Sequence, residues 1–125
     1  MTWTLLQVAL GGAIGAVGRY LTGLAALRLG AGGFPYGTLT VNVIGSLAMG
    51  VVFVALTARG ADRLAPFLMA GVLGGFTTFS AFSLDTLALW QEGRLIAAMA
   101  YVAASVALSL GAVAAGVALG RGMFP

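Results

Sequence analysis

LGAGGFPYGTLTVNVIGSLAMGVVFVALTA, residues 29–58, contains no Asp, Glu, Lys or Arg. The glycines and the proline between Gly30 and Pro35 are turn formers, and the stretch that follows matches the ~20 residues with which a helix crosses ~30 Å of hydrocarbon. Outward from it, residues 1–18, 64–84 and 95–120 are equally free of charge, and each is at least 18 residues long. The chain therefore predicts an all-α membrane protein with four transmembrane helices, over approximately 4–27, 36–57, 64–90 and 95–120. With only short loops between them, these form a single transmembrane domain over 1–125.

Composition points the same way. Of 125 residues, 61% are hydrophobic and 7% charged, and mean hydropathy is +1.08, more apolar than a soluble domain of this size tolerates. The first apolar stretch lacks a basic leader and runs on into Arg19 and Tyr20, so it reads as a retained helix. No cysteine is available for a disulfide or a thiolate metal site. No histidine is available as a ligand or near-neutral proton shuttle. The expectation is a protein that is not an enzyme. The pI near 10.2 comes from arginines spread singly, without the basic patch that nucleic acid requires.

Those arginines bear on orientation, which follows the excess of Lys and Arg in cytoplasmic loops. Arg19, Arg28 and Arg94 fall on the side of the first and third loops; Arg59, Arg63 and Arg121 fall on the side of the termini and second loop. Three against three leaves no bias, so the chain is expected to insert both ways. Oppositely inserted copies can pair about a two-fold axis in the membrane plane, as inverted repeats do in larger transporters. An antiparallel dual-topology homodimer is the expected assembly.

Polar side chains within the spans are costly unless buried in protein or wetted. Thr38, Asn42 and Ser46 recur every four residues in the second span, and Tyr101, Ser105 and Ser109 do so in the fourth; each set shares one helical face. Hydroxyls and a carboxamide donate hydrogen bonds without fixed charge, which suits a path for a small hydrated anion. The first span carries Gln7, Gly11, Gly15 and Arg19 at the same period. Small residues four apart, here and at Gly116 and Gly120, let helices approach closely. Arg19 suits a mouth of the bundle, where it attracts anions or simply snorkels.

The third span reads GVLGGFTTFSAFSLD over residues 71–85. The Gly74–Gly75 pair favours a broken helix, near Gly74 to Ser80. Phe76, Phe79 and Phe82 then alternate with Thr77, Ser80 and Ser83. A break frees backbone carbonyls for protein, water or a cation, and phenyl rings present a positive edge to an anion. Asp85 is the one carboxylate near a span interior. A proton-coupled transporter needs such a group buried; a channel uses it at a helix end or interface. Spacing does not choose between them.

GGAIGAVGRY at 11–20, GTLTVNVIGS at 37–46 and GGFTTFSAFS at 74–83 together resemble the signature segments of the Fluc fluoride channel family, also called CrcB, in order along the whole chain. The resemblance implies an antiparallel dual-topology homodimer in the bacterial inner membrane, embedded in lipid, that lets fluoride leave the cell passively. By the same resemblance Asn42, Phe79 and Phe82 line the fluoride pore. Tyr101, Ser105 and Ser109 supply its polar track, with Ser80 and Ser83 nearby, and Arg19 is the vestibule arginine. Backbone carbonyls of Gly74 and Thr77 from both copies hold a structural sodium ion. This chain has Asp85 where many members carry Glu, and Ala81 where many carry Thr.

The principal alternative is a small proton-coupled antiporter of the multidrug type, which needs a membrane-embedded carboxylate in its first helix. The first span has none, so Asp85 would have to serve. A third possibility, a small membrane subunit that only binds a partner, predicts no ion flux.

Overall fold

The computed structural model describes residues 1–30 and 32–125, so position 31 of the first loop lies outside the described residues. Helix α1 (Thr2–Arg28) and helix α2 (Tyr36–Arg59) are uninterrupted. The third span is assembled from pieces. A 3-10 turn (Asp62–Leu64) leads into a π-helical stretch (Pro66–Leu73) and the single turn α3 (Gly74–Phe76); the chain then leaves helical conformation and resumes as α4 (Ser80–Gln91). The last span is α5 (Leu95–Met123). The segments Thr2–Arg28, Tyr36–Arg59, Asp62–Gln91 and Leu95–Met123 are each long and apolar enough to cross a membrane, and there is no strand among the described residues. The all-α, four-span architecture expected from the sequence is the one observed.

Helix ends follow the turn chemistry of the sequence. α2 stops at Gly60, whose φ of 61° lies in the left-handed region that a side chain makes costly, and Gly93 (φ 76°) performs the same service after α4. The Arg94 guanidinium donates to the Gly33 carbonyl, pinning the first loop beside the third. Both loops therefore lie at one end of the bundle, as alternating spans require.

Glycine sets how closely the spans approach. A Cβ built on Gly116 of α5 would stand 3.1 Å from Gly50 Cα of α2, and one on Gly120 would stand 2.8 Å from Val54 Cβ. Between α1 and the third span, a Cβ on Gly71 would lie 2.9 Å from Gly11 Cα, and one on Gly75 2.7 Å from the Gly12 carbonyl oxygen. Lipid tails are as apolar as leucine, so helices in a bilayer associate through this close backbone packing rather than by expelling water.

The Gly74–Gly75 pair is where structure and sequence differ in detail. The interruption at Thr77 to Phe79 falls within the expected stretch from Gly74 to Ser80, but both glycines themselves remain helical. Gly75 is used for contact with α1, so its conformational freedom is not what breaks the helix. The π-helical stretch has no counterpart in the sequence reading. Within it the chain is widened, and the Gly74 N–H reaches the Met69 carbonyl five residues back. The small buried core is at the loop end of the bundle, where Leu89, Ala98 and Tyr101 pack with Phe34, Leu39, Phe82 and Ala97.

Candidate functional site

The site is built around the interruption. In a continuous helix the Thr78 N–H would bond to the Gly74 carbonyl and the Ala81 N–H to the Thr77 carbonyl. Both amides are diverted. Thr78 N–H donates to Asn42 Oδ1 at 2.8 Å, and Asn42 Nδ2 donates back to the Thr78 carbonyl at 2.9 Å. The Ala81 N–H donates to Thr78 Oγ1 at 3.1 Å. A single carboxamide on α2 thus replaces the helical partners of both backbone polar groups of Thr78, and the Gly74 and Thr77 carbonyls are released from the ladder. The neighbouring Gly75 carbonyl accepts from Arg19 Nε of α1 at 3.1 Å. Thr77 turns its own hydroxyl to the Leu73 carbonyl at 2.9 Å.

Beside the interruption runs an open groove of about 610 Å³, bordered by α2, the third span and α5. Asn42, Phe79, Phe82, Ser105 and Ser109 line it, with Gly74 and Thr77 at its edge. The Phe79 and Phe82 rings are 5.4 Å apart, tilted by 59°, and Phe79 is 78% exposed in the single chain. Ser105 is the exceptional hydroxyl. Thr22, Thr57, Thr77, Ser83 and Thr86 each donate to the carbonyl four residues earlier, the usual way a hydroxyl is satisfied on a helix. Ser105 Oγ is buried and has no hydrogen-bond partner among the described residues.

Comparison with known proteins fits this geometry to a family. A profile described as CrcB-like protein, Camphor Resistance (CrcB), matches residues 6–117. This chain belongs to that family. A CrcB-like relative from Paracoccus denitrificans is 56% identical over 124 residues, covering 99% of each chain. One from Cereibacter sphaeroides is 57% identical over 122 residues, 98% of each, and one from Agrobacterium fabrum is 49% identical over 119 residues, 94% of this chain and 95% of its own. All three carry the name fluoride-specific ion channel FluC. With four spans, the CrcB-like chain is a multi-pass membrane protein.

The remaining expected residues of the CrcB-like chain lie elsewhere. Tyr101 is fully buried and donates its hydroxyl to Asp85 Oδ2 at 3.0 Å. Its ring packs between Phe82, tilted by 49° with centroids 5.2 Å apart, and Phe34, edge-on at 5.5 Å. Asp85 borders a second cavity of about 500 Å³ under the first loop, together with Arg19, Thr38, Glu92 and Arg94. Ser80 and Ser83 do not line the groove. Ser80 Oγ lies 3.3 Å from Thr78 Oγ1, and Ser83 Oγ donates to the Phe79 carbonyl at 2.9 Å. The antiporter alternative finds no support in the family, and Asp85 is engaged by Tyr101 rather than standing alone in the membrane.

Thr78 and Gly45 are what the sequence reading missed. Gly45 is buried, and any Cβ there would overlap the Thr77 methyl. The signal was present in GTLTVNVIGS, where Gly45 follows Asn42 by one turn on the face that meets the interruption.

Proposed function

We propose that this chain is a fluoride-selective channel of the bacterial inner membrane, passing fluoride out of the cell without catalysis. Ser105 carries the reading. A buried hydroxyl left without a partner costs about 1–3 kcal/mol, yet here the usual carbonyl four residues back is not taken. A hydrogen-bond acceptor passing along the groove satisfies it, and a bare anion is the strongest such acceptor. The names of the relatives supply the anion, fluoride.

The groove's chemistry fits a small anion that must lose water without being trapped. Ser105 and Ser109 offer hydroxyl donors, and Phe79 and Phe82 offer ring edges whose quadrupole is positive. No charged side chain lines the groove among the described residues, so nothing holds the ion tightly. Hydrogen fluoride is neutral and crosses membranes, then dissociates in a more alkaline cytoplasm. An inside-negative potential worth ~2.3 kcal/mol per charge per 100 mV then drives the anion out through a passive pore.

The working assembly in this reading is an antiparallel homodimer surrounded by lipid. Phe79, so exposed in one chain, gains a wall from the second copy, and equal arginine numbers at the two faces allow both insertions. The Gly74 and Thr77 carbonyls fit a hard cation that takes neutral oxygen ligands, since the amides that would occupy them bond to Asn42 and Thr78 side chains instead. Sodium held by this pair and its equivalent on the second copy supplies fixed positive charge beside the anion path.

The test is ion efflux from liposomes holding the purified chain. Fluoride is expected to leave and chloride to stay, with Ser105→Ala slowing fluoride about tenfold, in line with a lost hydrogen bond to an ion. Vesicles that remain tight to fluoride would end this reading. Crosslinking that captures only parallel pairs would remove the dimer arrangement.

A further inference from the structure

Arg19 is half-buried beside the cavity under the first loop. It precedes the end of α1 at Arg28 by nine residues, ~13 Å along the helix, and charged groups that deep in a span are kept for a specific partner. The partner is a backbone oxygen: Nε donates to the Gly75 carbonyl at 3.1 Å. Gly75 is the penultimate residue of α3, and the amide that would bond to its carbonyl in a continuous helix is that of Phe79, inside the interruption. That carbonyl therefore belongs to the negative, unpaired end of a helix segment. Within the gap, Asn42 holds the backbone N–H and carbonyl of Thr78.

We propose that Arg19 is a positioning residue of the conduction path. Its Nε–H caps the carbonyl end of α3 and, opposite Asn42, fixes the interruption so that Phe79 and the Gly74 and Thr77 carbonyls keep their places beside the groove. The proposal rests on the channel reading above, but assigns Arg19 a different task from gathering anions at a mouth. A gathering charge acts at a distance and is screened by salt. A cap needs a directional donor at one atom, whatever its charge, and is indifferent to salt.

Two substitutions separate these tasks. In Arg19→Gln the carboxamide nitrogen occupies the same bond position as Arg Nε, keeping the donor and deleting the charge. Arg19→Met matches the glutamine in length and deletes both. Fluoride efflux from liposomes is measured for each at about 20 and about 300 mM ionic strength, on either side of strong screening. Arg19→Met is expected to lower maximal flux about ten- to a hundredfold, the range for leaving a buried acceptor unsatisfied. Arg19→Gln is expected to stay within about fivefold of the unaltered chain, with both ratios the same at the two ionic strengths. Equal losses in Gln and Met, shrinking as salt rises, would overturn the cap in favour of a gathering charge; unaltered flux in Met would overturn any role.

A second readout does not depend on flux. The chain contains two Gly–Phe bonds, Gly33–Phe34 and Gly75–Phe76, so glycine ¹³C-carbonyl and phenylalanine ¹⁵N labelling gives two carbonyl resonances. The one from Gly75 is expected to move in Met and hold in Gln, while the one from Gly33 holds in both. A Gly75 resonance unmoved in Met would overturn the cap. Absence of fluoride flux from the unaltered chain would sink the channel reading and the conduction role with it, while the carbonyl signals judge the cap by themselves.

Discussion

The two halves of the third span are held by opposite means. Before the interruption, Gly71 and Gly75 lie backbone to backbone against Gly11 and Gly12 of α1. After it, α4 buries only Leu89, and its Ser83 and Thr86 hydroxyls turn back to their own helix. The first half is an anchor with no room for a side chain. The second is a lightly packed arm whose phenylalanines face the groove. Changes in the first half should therefore act on assembly, and changes in the second on flux.

Gly75→Leu is the harshest way to test that division. Its Cβ would sit 2.7 Å from the Gly12 carbonyl oxygen, a backbone atom that cannot rotate aside. The expected loss is about 3 kcal/mol or more of helix association, seen as failure to elute as a single folded species in detergent. A Gly75→Leu chain that elutes normally would break the distinction between the halves. Phe79→Ile probes the other half. The ring is 78% exposed in the single chain, so folding should change by under about 1 kcal/mol while fluoride efflux falls about tenfold or more through loss of the positive edge. A folding defect as large as that of Gly75→Leu would show that both halves are anchors. Ser83→Ala sharpens the contrast at its mild end. Its hydroxyl serves only the Phe79 carbonyl, so stability is expected within about 0.5 kcal/mol and efflux close to that of the unaltered chain.

How far the sequence carries depends on which physical signal is local. Charge-free length is local, so the four spans were legible from residues 1–18, 29–58, 64–84 and 95–120 alone. Glycine spacing showed which faces pack, and Gly11, Gly116 and Gly120 do meet other spans. The position of the interruption was not legible to the residue. It depends on a carboxamide 36 residues earlier in the chain, whereas of the conspicuous Gly74–Gly75 pair Gly75 is taken up by contact with α1 and Gly74 lies at the groove. The polar stripe of α5 divides for a similar reason. Ser105 and Ser109 reach the groove, but Tyr101 is drawn to Asp85 across the bundle, and no period within one helix encodes that partner. The π-helical stretch over Pro66–Leu73 has no composition that distinguishes it from an ordinary apolar helix.

The origin of the two ligands that straddle residues 75–78 also bears on biogenesis. Arg19 and Asn42 both lie upstream, so during synthesis from the N-terminus they are already in the bilayer when the third span emerges. The nascent segment meets its replacement partners on arrival and never has to survive in lipid with bare peptide groups.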